Sequence, residues 1–355
     1  MSREWRTVCV QYHDTAAFDD LILDAVRPLL AELAATGVED AYFLRHWRRG
    51  PHLRVNVRAT AGSWDGVVLP AVHRVIGGFL ARQPSSVTLD VAALLPEHRR
   101  LAEREHELGE LSPPRPDNTI SVEPYDSRAH VLGGTEAAEL LARFHTATTP
   151  AAFRALDAIR AQGQRLWTAF DLMVATAQAF CPDGIRLGYV SFRAHAETFL
   201  LDRADQPRMR AEWNRIQHRL RPALAARLAD PGSPAVRDWL DAVDSLRERL
   251  FASLDSGALR MDSYEFGHVP PAGASAFVTE LMTNREFHDQ VLPSAAFRRY
   301  RLLLNLLYLQ LTRLGVRAAE RYLLGHLIAN TVEAVHGVDA ATQLRARTAE
   351  TARSR

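Results

Sequence analysis

Lysine is absent: all 43 basic side chains of the 355-residue sequence are arginine. Lysine Schiff bases, a pyridoxal phosphate anchor and the phosphate-loop lysine are thereby excluded. Cysteine is scarce too. Cys9 and Cys181 lie in unrelated segments with no second Cys or nearby His at metal-ligand spacing, which argues against a disulfide framework and a zinc site. A formal charge of +1, from 43 basic and 42 acidic groups, provides no overall field of the kind that nucleic-acid binding draws on. Long apolar runs are missing: the longest, around 302–311, is interrupted by Asn305 and Gln310, and the amino terminus Met-Ser-Arg-Glu-Trp-Arg lacks a signal-peptide core. There is no Gly-x-Gly-x-x-Gly after a strand, no serine-hydrolase elbow and no two-histidine metal signature. The expectation is a soluble, cytoplasmic protein that binds neither nucleic acid nor membrane and uses no metal or nucleotide.

What is present supports a full core, since 47% of the residues are hydrophobic. Period-two alternation predicts a strand over 4–12 and a hairpin over 41–58, and helical spacing predicts helices over 16–36, closed by Gly37, and 64–82. The βαββα order describes an α+β fold, an antiparallel sheet with helices on one face and the other face open. Pro113-Pro114-Arg115-Pro116-Asp117-Asn118 predicts a loop with a short strand after it, and Gly133-Gly134 a turn. From Thr135 the chain reads as mostly helical. We expect a single domain over 1–355, with an α+β front over 1–134, a mainly helical back over 135–340 and a flexible tail over 341–355.

Three segments concentrate polar chemistry. Within the hairpin, His52, Arg54, Asn56 and Arg58 alternate with Leu53, Val55 and Val57. With Arg45, Arg48 and Arg49 beside them, they make a basic patch suited to an anionic or carbonyl-rich ligand such as a peptide, although a wet sheet face has the same pattern. Over Leu187–Leu200 the sequence predicts a strand end running into a helix capped by Ser191, gathering Tyr189, Ser191 and His195 as proton donors and acceptors; an ordinary cap beside a surface histidine is the alternative. In the last long helix Tyr322, His326, Asn330 and Glu333 form a polar stripe, and Gly325 allows another backbone to approach. A hydrogen-bonded core histidine explains His326 equally well. Tyr264–His268 and Tyr12-His13-Asp14 are further polar-aromatic clusters that match no metal or nucleophile template.

Four stretches together resemble a known family: Trp5–Tyr12, Tyr42–Arg54 with its Pro-His-Leu-Arg turn, Tyr189–Glu197, and Leu314–His326 followed by Asn330. They are similar to stand-alone relatives of the carboxy-terminal, glutamate-elimination domain of lantibiotic dehydratases, found in thiopeptide biosynthesis. Eliminating relatives carry a second arginine where this chain has Asn56, and an acidic-x-x-Arg-Tyr-Gly-Gly run where it has Arg128–Gly134. These departures point to the thiopeptide pyridine synthases, which join two dehydroalanines in a formal 4+2 aza-cycloaddition and lose water and the leader peptide. The resemblance implies no cofactor and a modified precursor peptide, leader plus azole- and dehydroalanine-containing core, as partner; a homodimer is compatible with it. On that reading Tyr189, Ser191, His195 and His326 are catalytic, while Arg45, Arg48, Arg49, His52, Arg54 and Asn330 bind the peptide. The alternatives are a split eliminase acting on glutamylated serine and a non-catalytic leader-binding scaffold.

Overall fold

The computed structural model describes residues 2–201, 203–261, 269–271 and 273–353, without the side chains of 347–353. The chain divides into two compact units, Met1–Gln162 and Gly163–Arg355.

The first unit is built on a four-stranded antiparallel sheet of β1 (Glu4–Gln11), β2 (Ala41–His46), β3 (His52–Ala59) and β4 (Thr119–Pro124), in the order β2-β3-β1-β4. The register pairs Val8 with Val55 and Val10 with Leu53, so the apolar positions share one face and are fully buried. Two helical runs, α1 over 18–35 and α2 over 61–82, each contain a π-helical turn, at Ile22–Val26 and Trp64–Val68. Both lie on the apolar face: Arg45 sits over the Phe18 ring of α1, and Arg6 over Trp64 of α2. Each Leu or Val so buried contributes about 1.5–3 kcal/mol.

The opposite face differs from the expectation. It is not open: Thr7, Cys9, Gln11, His52 and Asn56 are all buried, and the Thr7 hydroxyl donates to Asn56 Oδ1 at 2.7 Å. Alternation separates two faces of a strand, but it does not say that the polar one stays wet. Helix α3 (Val91–Glu105), not among the elements expected from the sequence, starts on an Asp90 cap and turns one half-buried face, Val91, Leu94, Leu95, His98, Leu101 and Ala102, away from solvent. Its carboxyl end is gripped by arginines, since Arg128 donates to the carbonyls of Glu105 and His106, and Arg48 to that of Leu108. The 28-residue α4 (Thr135–Gln162) belongs to this unit, where His145 stacks on Tyr42 and Phe153 on Phe43. The change from sheet to helices at 134/135 is therefore not the boundary between units.

The second unit is helical: α5 (Arg165–Phe180), α6 (Ile185–Leu201), α7 (Gln206–Ala229), α8 (Pro234–Asp255), α9 (Ala276–Thr283), α10 (Ala295–Arg313), α11 (Ala318–His336) and α12 (Ala340–Arg353). Gly325 works as expected. A Cβ there would stand 3.0 Å from the Phe192 carbonyl oxygen, so α11 lies directly on α6. The expected tail from 341 instead begins as α12, with Ala340, Ala341 and Leu344 buried.

Candidate active site

No strand precedes α6. Gly184, at φ +59, ends a turn, and Gln178 Oε1 accepts from the Ile185 N–H at 3.1 Å, so the helix begins six residues before Ser191. This overturns the expected strand-to-helix junction and the Ser191 cap. In a continuous helix residues two apart point about 200° apart, and Tyr189 is thereby separated from Ser191 and His195. The two faces of α6 have different surroundings.

One face, with Leu187, Ser191, Ala194, His195 and Thr198, lines a mostly apolar cavity of about 80 Å³. Across it stand Phe297, Tyr300, Arg301 and Leu304 of α10. Beside it, the Tyr308 hydroxyl lies 2.8 Å from His195 Nδ1, and Tyr300 donates to the Gly188 carbonyl at 3.0 Å. Burial, with Arg301 and Arg321 adding to it, pushes the half-buried His195 down to about 4. The imidazole is therefore neutral at neutral pH, able to accept a proton at one nitrogen and deliver one from the other. Tyr300 and Tyr308 escaped sequence reasoning; their one signal is the i, i+4, i+8 stripe Tyr300, Leu304, Tyr308, which enters the apolar run 302–311 from outside it.

The other face carries Tyr189, Arg193 and Glu197 toward α11 and α7. Arg193 donates to Asn330 Oδ1 at 2.6 Å and to Glu333 at 2.5 Å, while Arg210 holds Glu197 through two bonds of 2.8 Å. His326 Nε2 sits 2.8 Å from Asn330 Nδ2 and 3.0 Å from Asn214 Oδ1. A neutral ring nitrogen serves only one of these at a time, and His326 Nδ1 is buried with no hydrogen-bond partner among the described residues. Burial and Arg193 push His326 down to about 4. The Tyr189 hydroxyl is likewise buried and unpartnered, and burial pushes its pKa up. Neither His326 nor Asn330 lines the cavity; the pair belongs to a buried polar network that ties α6, α7 and α11 together.

In the sheet unit the hairpin arginines are paired. Arg45 lies on the apolar face, opposite Arg54, and binds Asp19. Arg48, Arg54 and Arg128 converge on Glu107, and Arg54 also reaches Asp126 at 3.6 Å. Burial opposes ionisation of Glu107, but His46, Arg54 and Arg128 outweigh it and hold the carboxyl at about 2. His52, pushed down to about 3 by burial and His46, donates from Nδ1 to the Gly50 carbonyl at 2.9 Å. Arg49 is held by the Pro113 carbonyl and by Glu110 at 3.8 Å, whose side chain is 78% exposed. Tyr12-His13-Asp14 is structural: Asp14 caps the turn after it, and the His13 N–H donates to Asp117. Tyr264–His268 lies outside the described residues.

The family model described as lantibiotic biosynthesis dehydratase C-term matches residues 5–332, across both units. The chain belongs to this family. Among solved structures, this family member is similar to the pyridine synthase TbtD from thiomuracin biosynthesis, at 38% identity and a TM-score of 0.76, over 95% of this chain and 100% of that one. It shares its fold with TsrL, at 24% identity and a TM-score of 0.69, over 97% of this chain and 98% of that one. No curated protein matches it. Among the described residues no three His, Cys, Asp or Glu side chains gather as metal ligands, and no helix is long and apolar enough to cross a membrane.

Proposed function

We propose that this protein is a thiopeptide pyridine synthase, acting on a modified precursor peptide, and that both units form one functional module. The observation that carries this reading is the full-length similarity to the thiomuracin enzyme at 38% identity. The cavity on α6 supports it.

One dehydroalanine must react as its imidic-acid tautomer, with a proton delivered to one amide atom and removed from another. The neutral His195 and the Tyr308 hydroxyl beside it offer that exchange at a mostly apolar cavity, with Ser191 one turn away as a further hydroxyl. The new ring closes by two carbon–carbon bonds, one between the two methylene carbons and one from the imidic carbon to the other α-carbon, the ring nitrogen being the one the first dehydroalanine already carries, and then loses water and the leader as an amide. Aromatisation by two eliminations needs no oxidant. Positioning two distant alkenes against each other can supply roughly 7–11 kcal/mol, the larger share of the acceleration. Tyr189, His326 and Asn330 take a supporting part, holding α6 in place. At the hairpin, Arg49 is the arginine that an acidic leader captures most readily, because its own carboxylate partner is largely exposed.

Incubation with a dehydrated, azole-containing precursor tests the reading by mass: a macrocycle plus released leader is expected. A peptide of unchanged mass that nevertheless binds would favour a scaffold, and loss of glutamate from a glutamylated serine would favour an eliminase. In the same assay Arg49→Ala is expected to weaken leader binding in a salt-dependent way, whereas Arg54→Ala is expected to destabilise the sheet unit.

A further inference from the structure

The hydrogen bond between His195 and Tyr308 has no direction of its own. A neutral imidazole carries its proton on either nitrogen, so at 2.8 Å the Tyr308 hydroxyl either donates to Nδ1 or accepts from it, and the choice decides where the imidazole proton sits. A further side chain bears on that choice. Arg321, half-buried in the first turn of α11, reaches across to α10: its guanidinium carbon lies 5.3 Å from the centre of the Tyr308 ring, and Nη1 donates at 3.0 Å both to the Tyr308 carbonyl and to the Thr312 hydroxyl oxygen. The Thr312 hydroxyl donates to the same carbonyl at 2.9 Å, so ring, main chain and guanidinium form one clamp. The charged groups whose fields reach His195, Arg301 from α10 and Arg321 from α11, are both cations. A cation over a phenol ring favours the build-up of negative charge on its oxygen, which strengthens the O–H as a donor and weakens the oxygen as an acceptor.

We propose that Arg321 is a positioning residue of this site: seated on the Tyr308 ring, it fixes the hydroxyl as the donor to His195 Nδ1 and so keeps the imidazole proton on Nε2. Only the chemical consequence rests on the pyridine synthase reading. With the proton on Nε2, His195 donates from that nitrogen. With the proton on Nδ1 it is engaged by the phenol, and Nε2 can only accept. A histidine held in the wrong tautomer loses most of its catalytic effect even where the surrounding geometry is intact, so a side chain that touches no substrate still governs the rate.

The test is nitrogen NMR of the full chain carrying labelled histidine at neutral pH, the His195 signals being identified by their loss in His195→Phe. The parent is expected to show a bare Nδ1 and a protonated Nε2. In Arg321→Leu, which keeps the bulk and removes charge and donors, the two tautomers are expected to mix, and in Arg321→Lys, which keeps a cation, the parent pattern is expected to return. Thr312→Val, at an exposed position, removes the hydroxyl that anchors Nη1; it keeps the test open if Arg321→Leu unfolds, and is expected to shift the pattern in the same direction. With a dehydrated, azole-containing precursor, Arg321→Leu is expected to lower kcat at least about tenfold with KM within about twofold of the parent, and Arg321→Lys to recover most of that loss. A protonated Nδ1 in the parent, or the parent tautomer unchanged in whichever of Arg321→Leu and Thr312→Val folds, overturns the proposal. A tautomer that shifts as expected while macrocycle formation runs at the parent rate upholds the clamp and counts against His195 in the synthase reading instead.

Discussion

Replacing Glu107 by Gln is expected to cost the sheet unit between about 1 and 3 kcal/mol at neutral pH. The carboxyl ionises at about 2 instead of the ordinary 4.5, against Arg54, Arg128 and His46, and its side chain is only 4% exposed. That difference corresponds to about 3 kcal/mol, and it sits at the lower edge of the roughly 3–5 kcal/mol lost when one partner of a buried pair is removed. His46, pushed down to about 4 by burial, is neutral at pH 7, so there the arginines carry the charge attraction without it and about 3 kcal/mol is the upper bound of the loss. The sign follows from the folded pKa lying below the unfolded one: the stabilisation is complete above about 4.5 and is lost as pH falls through about 2. Hydrogen exchange of β1 to β3 against urea at pH 7 measures the first quantity. Thermal unfolding of parent and variant between pH 6 and pH 3 measures the second, and the gap between them is expected to narrow on the acid side. A loss below about 1 kcal/mol at pH 7 would place Glu107 with ordinary surface pairs and refute the reasoning.

The proposed division of α6 into a reacting face and a supporting face predicts different fates for its residues. His195→Phe and Tyr308→Phe are expected to lower the rate of macrocycle formation by about 10²–10⁴ with leader affinity retained. Tyr189→Phe, which removes a buried hydroxyl with no partner, is expected to leave both rate and stability within about 1 kcal/mol of the parent, and a large rate loss would return Tyr189 to the chemistry. His326 ionises at about 4 in the fold and near 6.5 outside it, so its contribution is complete above about 6.5 and lost as pH falls through about 4; in His326→Gln, acid unfolding of the helical unit is expected to flatten across that window. Gly325→Ala is expected to destabilise α6 against α11 by about 1–3 kcal/mol, read by hydrogen exchange of those helices, because the new methyl meets the Phe192 carbonyl.

Local regularities of the chain translated well into structure. The alternation at His52–Arg58 gave strand β3 and its two faces, and Gly325 announced the close approach of another backbone, because both depend on neighbours within a few residues. Long-range partners were invisible. Nothing around His195 names Tyr308, 113 residues away, and nothing around Arg48 or Arg54 marks Glu107 as the carboxylate on which they converge. The misplaced junction at Ser191 has a specific cause: Leu187–Val190 is apolar enough to read as a strand end, while the true cap is the side chain of Gln178, seven residues upstream of Ile185 in a different helix. Arg45 was counted with the basic patch by proximity in sequence, although its register with Leu53 puts it on the other face.

Helix α3 has a practical consequence for handling the protein. With no lysine in the chain, trypsin has only arginines to cut, and Arg99, Arg100 and Arg104 are exposed on a helix whose apolar face is only half-buried and whose carboxyl end is held by arginine side chains. Local opening there costs little packing, so the first nick in a limited digest falls within 99–104 while the sheet beneath remains intact. The digest then serves as a sensitive gauge of how firmly the arginine grip on Glu105 and Leu108 is closed, long before the sheet itself gives way.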